Sequence, residues 1–259
     1  MHIALFLDVD DTLTRAPIQS YFAQHLNVNE RYRELENGFQ NESVTSKEFG
    51  DGLVALFASQ GFTNDKALAS FSQVQLNPWA DRLLSLQDQD VHIFLVSNGP
   101  SYYIDELARL RSIPIARVCC SKYFFDAPGS VISSCDARSD QGKATFVQNN
   151  AARYDISIGI GDSPQHDGPF IAQCTFGFLT VQTDSYPYVP SFEHIIHLVE
   201  RLKKKPVLAA DGRRVLDAKG LTIPQLKSAL SVGTWIAFFA VVAAAFTAGS
   251  ILASFWPGK

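Results

Sequence analysis

The chain has 259 residues, 46% of them hydrophobic, 12% aromatic and 19% charged, with 16 Gly and 12 Pro, which excludes a disordered, collagen-like or Gly/Pro low-complexity protein. The length suits one domain with an insert and a core that needs no staples. The formal net charge of -4 hides three parts, an acidic stretch over 1–199 at -10, a basic one over 200–231 at +5, and 232–259 with Lys259 alone; an acidic body excludes sequence-independent nucleic-acid binding, which needs basic surface.

The first apolar run, residues 2–7, is read as a buried strand that delivers polar groups at its C-terminal end, beginning with Asp8. It is too short for a secretory leader and has no basic leading segment. Residues 15–75 show no clear strand, and helical periodicity predicts helices around 30–39, 47–59 and 65–74. Phe22, Phe39, Phe49, Phe57, Phe62 and Phe71 are read as the core of this small helical insert, placed above the strand ends. Asn77-Pro78 predicts a capped helix through Leu86, with Pro at its first position.

Residues 91–96 are the second buried strand, ending at Ser97-Asn98-Gly99. A helix is expected from Pro100 to Leu110, a strand at 116–120, a helix from Ser139 to Ala152, and strands at 156–160 and 175–180. Strands alternating with helices imply an α/β fold with a mostly parallel sheet covered on both faces. The expected core is 1–14 with 76–200, and the expected insert is 15–75. Cys119, Cys120, Cys135 and Cys174 form no CxxC pair and are read as reduced, buried thiols of a cytosolic protein.

Residues 201–231 form a basic neck, with Arg201, Lys203, Lys204, Lys205, Arg213, Arg214, Lys219 and Lys227. Residues 232–256 then run without a charge. As a helix that run would span about 37 Å, enough for a hydrocarbon core of about 30 Å. Trp235 and Trp256 sit near its ends, where indoles favour the membrane interface. The other reading is a buried C-terminal helix, but such a helix normally keeps a polar face. The expectation is a single-pass tail anchor with the body held in the cytoplasm by the neck. The neck either rests on anionic headgroups or is a solvated linker. Ala245, Gly249 and Ala253, spaced by four, are a weak pointer to a homodimer through the transmembrane helix.

The chemistry lies at the strand ends, where open α/β sheets bind ligands. Asp8, Asp10 and Thr12, then Ser97 and Asn98, then Asp162 and Asp167 fall there, with Lys143 on the helix before the 156–160 strand. Gathered carboxylates repel unless a divalent cation neutralises them, and an oxygen-only set suits Mg²⁺. Magnesium commonly works beside phosphate oxygens, which a Lys and a hydroxyl can also bind. A carboxylate can itself attack phosphorus and form an acyl phosphate.

Asp8-Val9-Asp10-Asp11-Thr12 resembles the DxDxT first motif of the haloacid dehalogenase superfamily, and Ser97, Lys143 and Gly161-Asp162 with Asp167 resemble its second, third and fourth motifs, in that order. The likeness covers residues 1 to about 185 and is nearest to the phosphoserine-phosphatase-like branch, with 15–75 in the place of its helical C1 cap. It implies a Rossmann-like core, Mg²⁺, and a phosphatase acting on a small phosphorylated substrate closed off by the cap. It implies Asp8 as nucleophile and metal ligand. Asp10 would be the general acid and base, its carbonyl also a metal ligand. Thr12 would orient the motif beside the phosphate, and Ser97, Asn98 and Lys143 would hold phosphate charge. Asp162 would be a metal ligand, and Asp167 a ligand or a partner of one. The presence of Asp10 favours phosphatase or phosphomutase over dehalogenase. A phosphatase of a membrane lipid phosphate and a non-catalytic membrane scaffold are the alternatives. Asp11 is read as a turn residue, His166 as a loop histidine with a substrate contact as the other reading, Asp136 and Asp140 as surface acids, and Arg15, Glu34, Lys47 and Glu48 as exposed charges near the cap.

Overall fold

Strand β1 (Ile3–Leu7) reads IALFL and is buried at every position, as an apolar run must be when both faces of a sheet are covered. The computed structural model describes residues 1–71, 73–126, 129–204, 207–208, 214–216 and 221–222. In it β1 pairs in parallel with β2 (Val91–Pro100) on one side and β5 (Ile156–Gly161) on the other. Beyond these lie β3 (Val118–Phe125) and β6 (Phe176–Leu179), also parallel. An antiparallel edge strand, β4 (Val131–Asp136), completes the order β4-β3-β2-β1-β5-β6.

Alternation along β1 divides the core in two. Ile3, Leu5 and Leu7 belong to one apolar cluster, and Ala4 and Phe6 to the other. The first cluster takes in α6 (Ser101–Leu110) and α9 (Phe192–Lys204); the second takes in α7 (Asp140–Ala151) and α8 (Gly168–Ile171). Phe6 stacks on Phe94 of β2 at 4.6 Å in the second. Chain order reverses at β1, so the ligand crevice of such a sheet falls beyond its C-terminal end.

The chain leaves this core at Thr14 and returns at Leu76, and these two residues form an antiparallel bridge. Between them lie α1 (Ile18–His25), α2 (Asn29–Gln40), α3 (Ser46–Ala58) and α4 (Asn64–Phe71). Helix α3 starts with a capping box, Thr45 and Glu48 each bonding the other's backbone N–H. Phe22, Phe57 and Phe62 are buried together, and Phe22 and Phe62 also meet Tyr102 of α6 at 5.5 and 5.6 Å. The aromatic core of the helical insert thus continues into the sheet layer.

Several elements differ from expectation. Helix α1 and strand β4 carry no clear periodicity. The helix expected from Asn77 is only α5 (Ala80–Leu84), preceded by Trp79 at φ 70°. Asn77 does not cap it: its side-chain amide donates to the carbonyls of Thr12 (2.7 Å) and Thr14 (3.0 Å). Helix α9 runs to Lys204, past the expected boundary at 200, and buries Ile195, Ile196, Val199 and Leu202. Lys203 pairs there with Asp88, so part of the basic neck is body. Farther on, β7 (Val207–Leu208), β8 (Arg214–Leu216) and β9 (Leu221–Thr222) form a small antiparallel sheet. The uncharged run 232–256 lies outside the described residues, among which no helix is long and apolar enough to cross a membrane.

Candidate active site

Three strand ends and one helix build the site. Asp8 follows β1 directly, and its backbone N–H is held by the Ile160 carbonyl of β5 at 2.9 Å. Ser97 and Asn98 lie near the C-terminal end of β2, where pairing with β3 shifts register. Asp162 follows β5. Lys143 sits in the first turn of α7, which Ser139 caps by accepting the Gly142 N–H at 3.1 Å.

Lys143 is almost fully buried and its ammonium group reaches Asp8 Oδ1 at 3.2 Å and Asp167 Oδ1 at 2.5 Å. Asp167 Oδ2 accepts the backbone N–H groups of Asp162 and Ser163, both at 3.0 Å. Gly161 leaves room for this, since a Cβ there would lie 2.4 Å from Asp167 Oδ2. Thr12 gives its hydroxyl to Asp162 Oδ1 at 3.3 Å. Asp10 is held from both sides: Oδ1 accepts the Ile18 N–H (2.8 Å) at the start of α1, and Oδ2 accepts the Ser97 hydroxyl (3.2 Å).

The electrostatics follow from crowding. Burial, then the Asp167 carboxylate, pushes Asp8 well above the usual carboxylate range. Burial raises Asp10 to about 6, against the Ile18 hydrogen bond that lowers it. Burial and then Asp167 raise Asp162 to about 7. Burial opposes charge on Lys143, but Asp167 and Asp8 outweigh it and hold the ammonium form. One lysine cannot offset this many carboxylates. Ligand oxygens of Asp8, Asp162 and Asp167 all lie within 4.8 Å of one another. An all-oxygen set at this spacing fits a hard divalent cation such as Mg²⁺.

Of the residues expected at the site, Asp8, Asp10, Ser97, Asn98, Lys143, Asp162 and Asp167 line one cavity of about 90 Å³. Thr12 does not line it; its hydroxyl acts on Asp162 instead. The Asn98 side-chain amide is turned to Asp140 Oδ1 at 2.8 Å, and the Asn98 backbone carbonyl accepts from the Ser121 hydroxyl at 2.7 Å. Asp11 is a turn residue at φ 57°, and it lines the cavity too. Burial, then Glu36, raises its carboxyl to about 6.

The expectation for Asp140 is overturned. It is not a free surface acid: besides Asn98 it meets His166 Nδ1 at 3.0 Å, and these bonds hold its carboxyl below the usual range against burial. His166 lines the cavity and stacks on Phe39 of α2 at 4.4 Å, while Phe39 stacks on Phe49 of α3 at 4.8 Å. Phe39 and Phe49 therefore line the cavity; Phe49 is half-buried and also packs against the core that holds Phe22, Phe57 and Phe62. Lys47 pairs with Asp51, Glu48 caps α3, and Arg15 bonds the Leu76 carbonyl at 3.2 Å. The sequence signal for Asp140 was its place as the first residue of the helix that carries Lys143.

The model of the haloacid dehalogenase-like hydrolase family matches residues 5–171. A search of curated proteins by sequence finds no match. Among solved structures, a HAD family hydrolase from Salmonella enterica subsp. enterica serovar Typhi aligns with TM-score 0.68 at 14% identity, over 77% of this chain and 71% of that one. A substrate-bound phosphoserine phosphatase aligns with TM-score 0.60 at 11% identity, over 76% and 97%. A probable phosphoserine phosphatase from Vibrio cholerae aligns with TM-score 0.61 at 15% identity, over 78% and 66%. At these identities the likeness is one of fold.

Proposed function

The chain belongs to the haloacid dehalogenase-like hydrolases, and from that membership and its site we propose a Mg²⁺-dependent phosphomonoester hydrolase that works through a phosphorylated Asp8. The observation that carries this reading is Asp8 at the end of β1, bonded to Lys143, with Asp162 and Asp167 in reach and Asp10 two residues on. Asp8, Asp162 and the Asp10 carbonyl would hold the ion. Asp167 would add a ligand or brace Asp162 and Lys143, the role its two amide bonds and its ion pair already support. The ion supplies positive charge that offsets the carboxylates and the phosphate oxygens.

The remaining steps belong to the chain's own groups. An oxygen of Asp8 attacks phosphorus, the new O–P bond forms and the ester P–O bond breaks. Asp10 gives its proton to the leaving oxygen, a task that suits a carboxyl raised to about 6. Asp10 then takes a proton from water, which attacks the same phosphorus and returns Asp8 and inorganic phosphate. Lys143 keeps its charge throughout and neutralises the phosphorylated Asp8.

The substrate is a small phosphorylated metabolite, because residues of α1, α2 and α3 line a cavity of about 90 Å³ over the nucleophile. The apolar run 232–256 behind the basic stretch would tether this activity to a membrane, with the body on the cytoplasmic side. The test is phosphate release from p-nitrophenyl phosphate with and without Mg²⁺, joined to acid trapping of the phosphoenzyme. Labelling of Asp8, lost in Asp8→Asn, is expected. Release that survives Asp8→Asn removes Asp8 as the nucleophile.

A further inference from the structure

The phosphate end of the cavity supplies positive charge in Lys143 and would gain more from a divalent ion, whereas the part contributed by the helical insert supplies none. That part offers the neutral amides of Gln19 and Gln40, the rings of Tyr32, Phe39 and Phe49, and the carboxylate of Glu36, beside Asp11 from the loop after β1. Among the described residues lining the cavity, Lys143 is the one Lys or Arg, and it is committed to Asp8 and Asp167. Glu36 accepts the Tyr32 hydroxyl at 2.8 Å, and no ion pair of Glu36 or Asp11 occurs among the described residues. The aromatic rings around them lower the local dielectric, which strengthens any charge interaction made there.

A second observation points to a ligand in the same cavity. His166 lines this cavity and is nine-tenths buried. Its Nδ1 faces the Asp140 carboxylate, an acceptor, so the proton of that bond lies on Nδ1. Nε2 is buried and has no partner. A buried ring nitrogen without a partner calls for one from a ligand. The Glu36 and Asp11 carboxylates complement a positively charged group on the ligand and repel a carboxylate.

Building on the phosphatase reading, we propose that the organic half of the substrate is cationic, the substrate being a phosphate monoester of an amino alcohol, and that Glu36 sets this specificity. An ester whose organic half is anionic would meet Glu36 and Asp11 with like charge. The neutral ester of the same length would leave both unpaired.

The test compares esters on the full chain with Mg²⁺: 2-aminoethyl phosphate, its N,N,N-trimethyl analogue, the neutral n-propyl phosphate, O-phosphoserine and p-nitrophenyl phosphate. Expected is a kcat/KM for 2-aminoethyl phosphate about tenfold or more above n-propyl phosphate, the factor one well-placed charge supplies, with O-phosphoserine below 2-aminoethyl phosphate. Glu36→Gln should shrink that ratio about fivefold or more, chiefly through KM; its thermal midpoint shows that the fold is kept. Hydrolysis of all esters without charge preference overturns this proposal and spares the phosphatase reading. Hydrolysis of none, p-nitrophenyl phosphate included, overturns both. A Glu36→Gln loss that is equal on all esters and recovered by added Mg²⁺ assigns Glu36 to an ion and overturns the proposal.

Discussion

At the scale of single residues, Asp10 is the group whose environment most directly implies a role. With its carboxyl raised to about 6, it keeps a share of protonated form near neutral pH, as a general acid must. Asp10→Asn should therefore lower kcat by about 10²–10⁴ on alkyl phosphates, whose leaving oxygen needs a proton. The loss on p-nitrophenyl phosphate should be smaller, since that leaving group is stable without one; equal losses on both would deny Asp10 the acid role. The same shifts make a stability prediction. Asp10 at about 6 and Asp162 at about 7 hold protons in the fold that the unfolded chain has released. Between pH 4 and 7 the native state thus binds more protons, and metal-free stability falls as pH rises. Mg²⁺ binds the ionised carboxylates, so its stabilising effect should grow across that window, read as a rising difference in melting temperature with and without the ion. A difference that is flat or shrinks with pH would contradict it. Asp8, Asp10, Lys143 and Asp162 were legible because strand ends and chain order betray them. Asp140 and His166 were not, because their meaning arises only when α7 and the loop after β5 meet across 26 residues of sequence.

At the scale of elements, the apolar runs foretold β1, β2 and β5, since a strand covered on both faces has few polar positions to blur it. The shorter β-prone stretches at 116–120 and 175–180 overlap β3 and β6, although β3 begins only at Val118 and runs on through Ser121 and Lys122. Strand β4 escaped because it lies at the edge, pairs antiparallel and carries Ser133, Ser134 and Asp136 in place of an apolar run. Asn77 misled for a different reason. Its dipeptide has the form of a helix cap, but tertiary contact uses the amide to bind the Thr12 and Thr14 carbonyls, joining both passages of the chain to the loop that carries Asp10. Asn77→Ala should cost about 1–3 kcal/mol, the usual penalty for buried carbonyls left without a donor. It should also lower kcat, because the loop is free to shift. A variant with parental melting temperature and kcat would show that the two bonds do not brace the loop. In the helical insert, Phe22→Ala should cost about 3–5 kcal/mol, since Phe22 touches Phe57, Phe62 and Tyr102 in one buried cluster. Phe39→Ala should cost far less stability and act on KM, because its ring stacks on His166 at the cavity.

At the scale of the whole molecule, charge and hydrophobicity change along the chain, and the place of the change decides where it can be cut. The body does not end at 185, where the motif likeness ends, nor at 200. Helix α9 continues to Lys204 and buries four aliphatic side chains, each worth about 1.5–3 kcal/mol when removed from water. A chain of 1–204 should therefore fold and keep the full catalytic constants, whereas 1–190 should lose most of its stability. If the uncharged run 232–256 is an anchor, the two ends of the molecule are independent in function. The full chain should then sediment with membranes and resist extraction at alkaline pH. The 1–204 form should remain in the supernatant with unchanged kcat on a soluble ester. Protease added to sealed vesicles should reach the body from the cytoplasmic face, because Arg201, Lys203, Lys204 and Lys205 hold that side. Full-length protein that stays soluble without detergent, at a melting temperature above that of 1–204, would instead place the tail against the body as a buried helix.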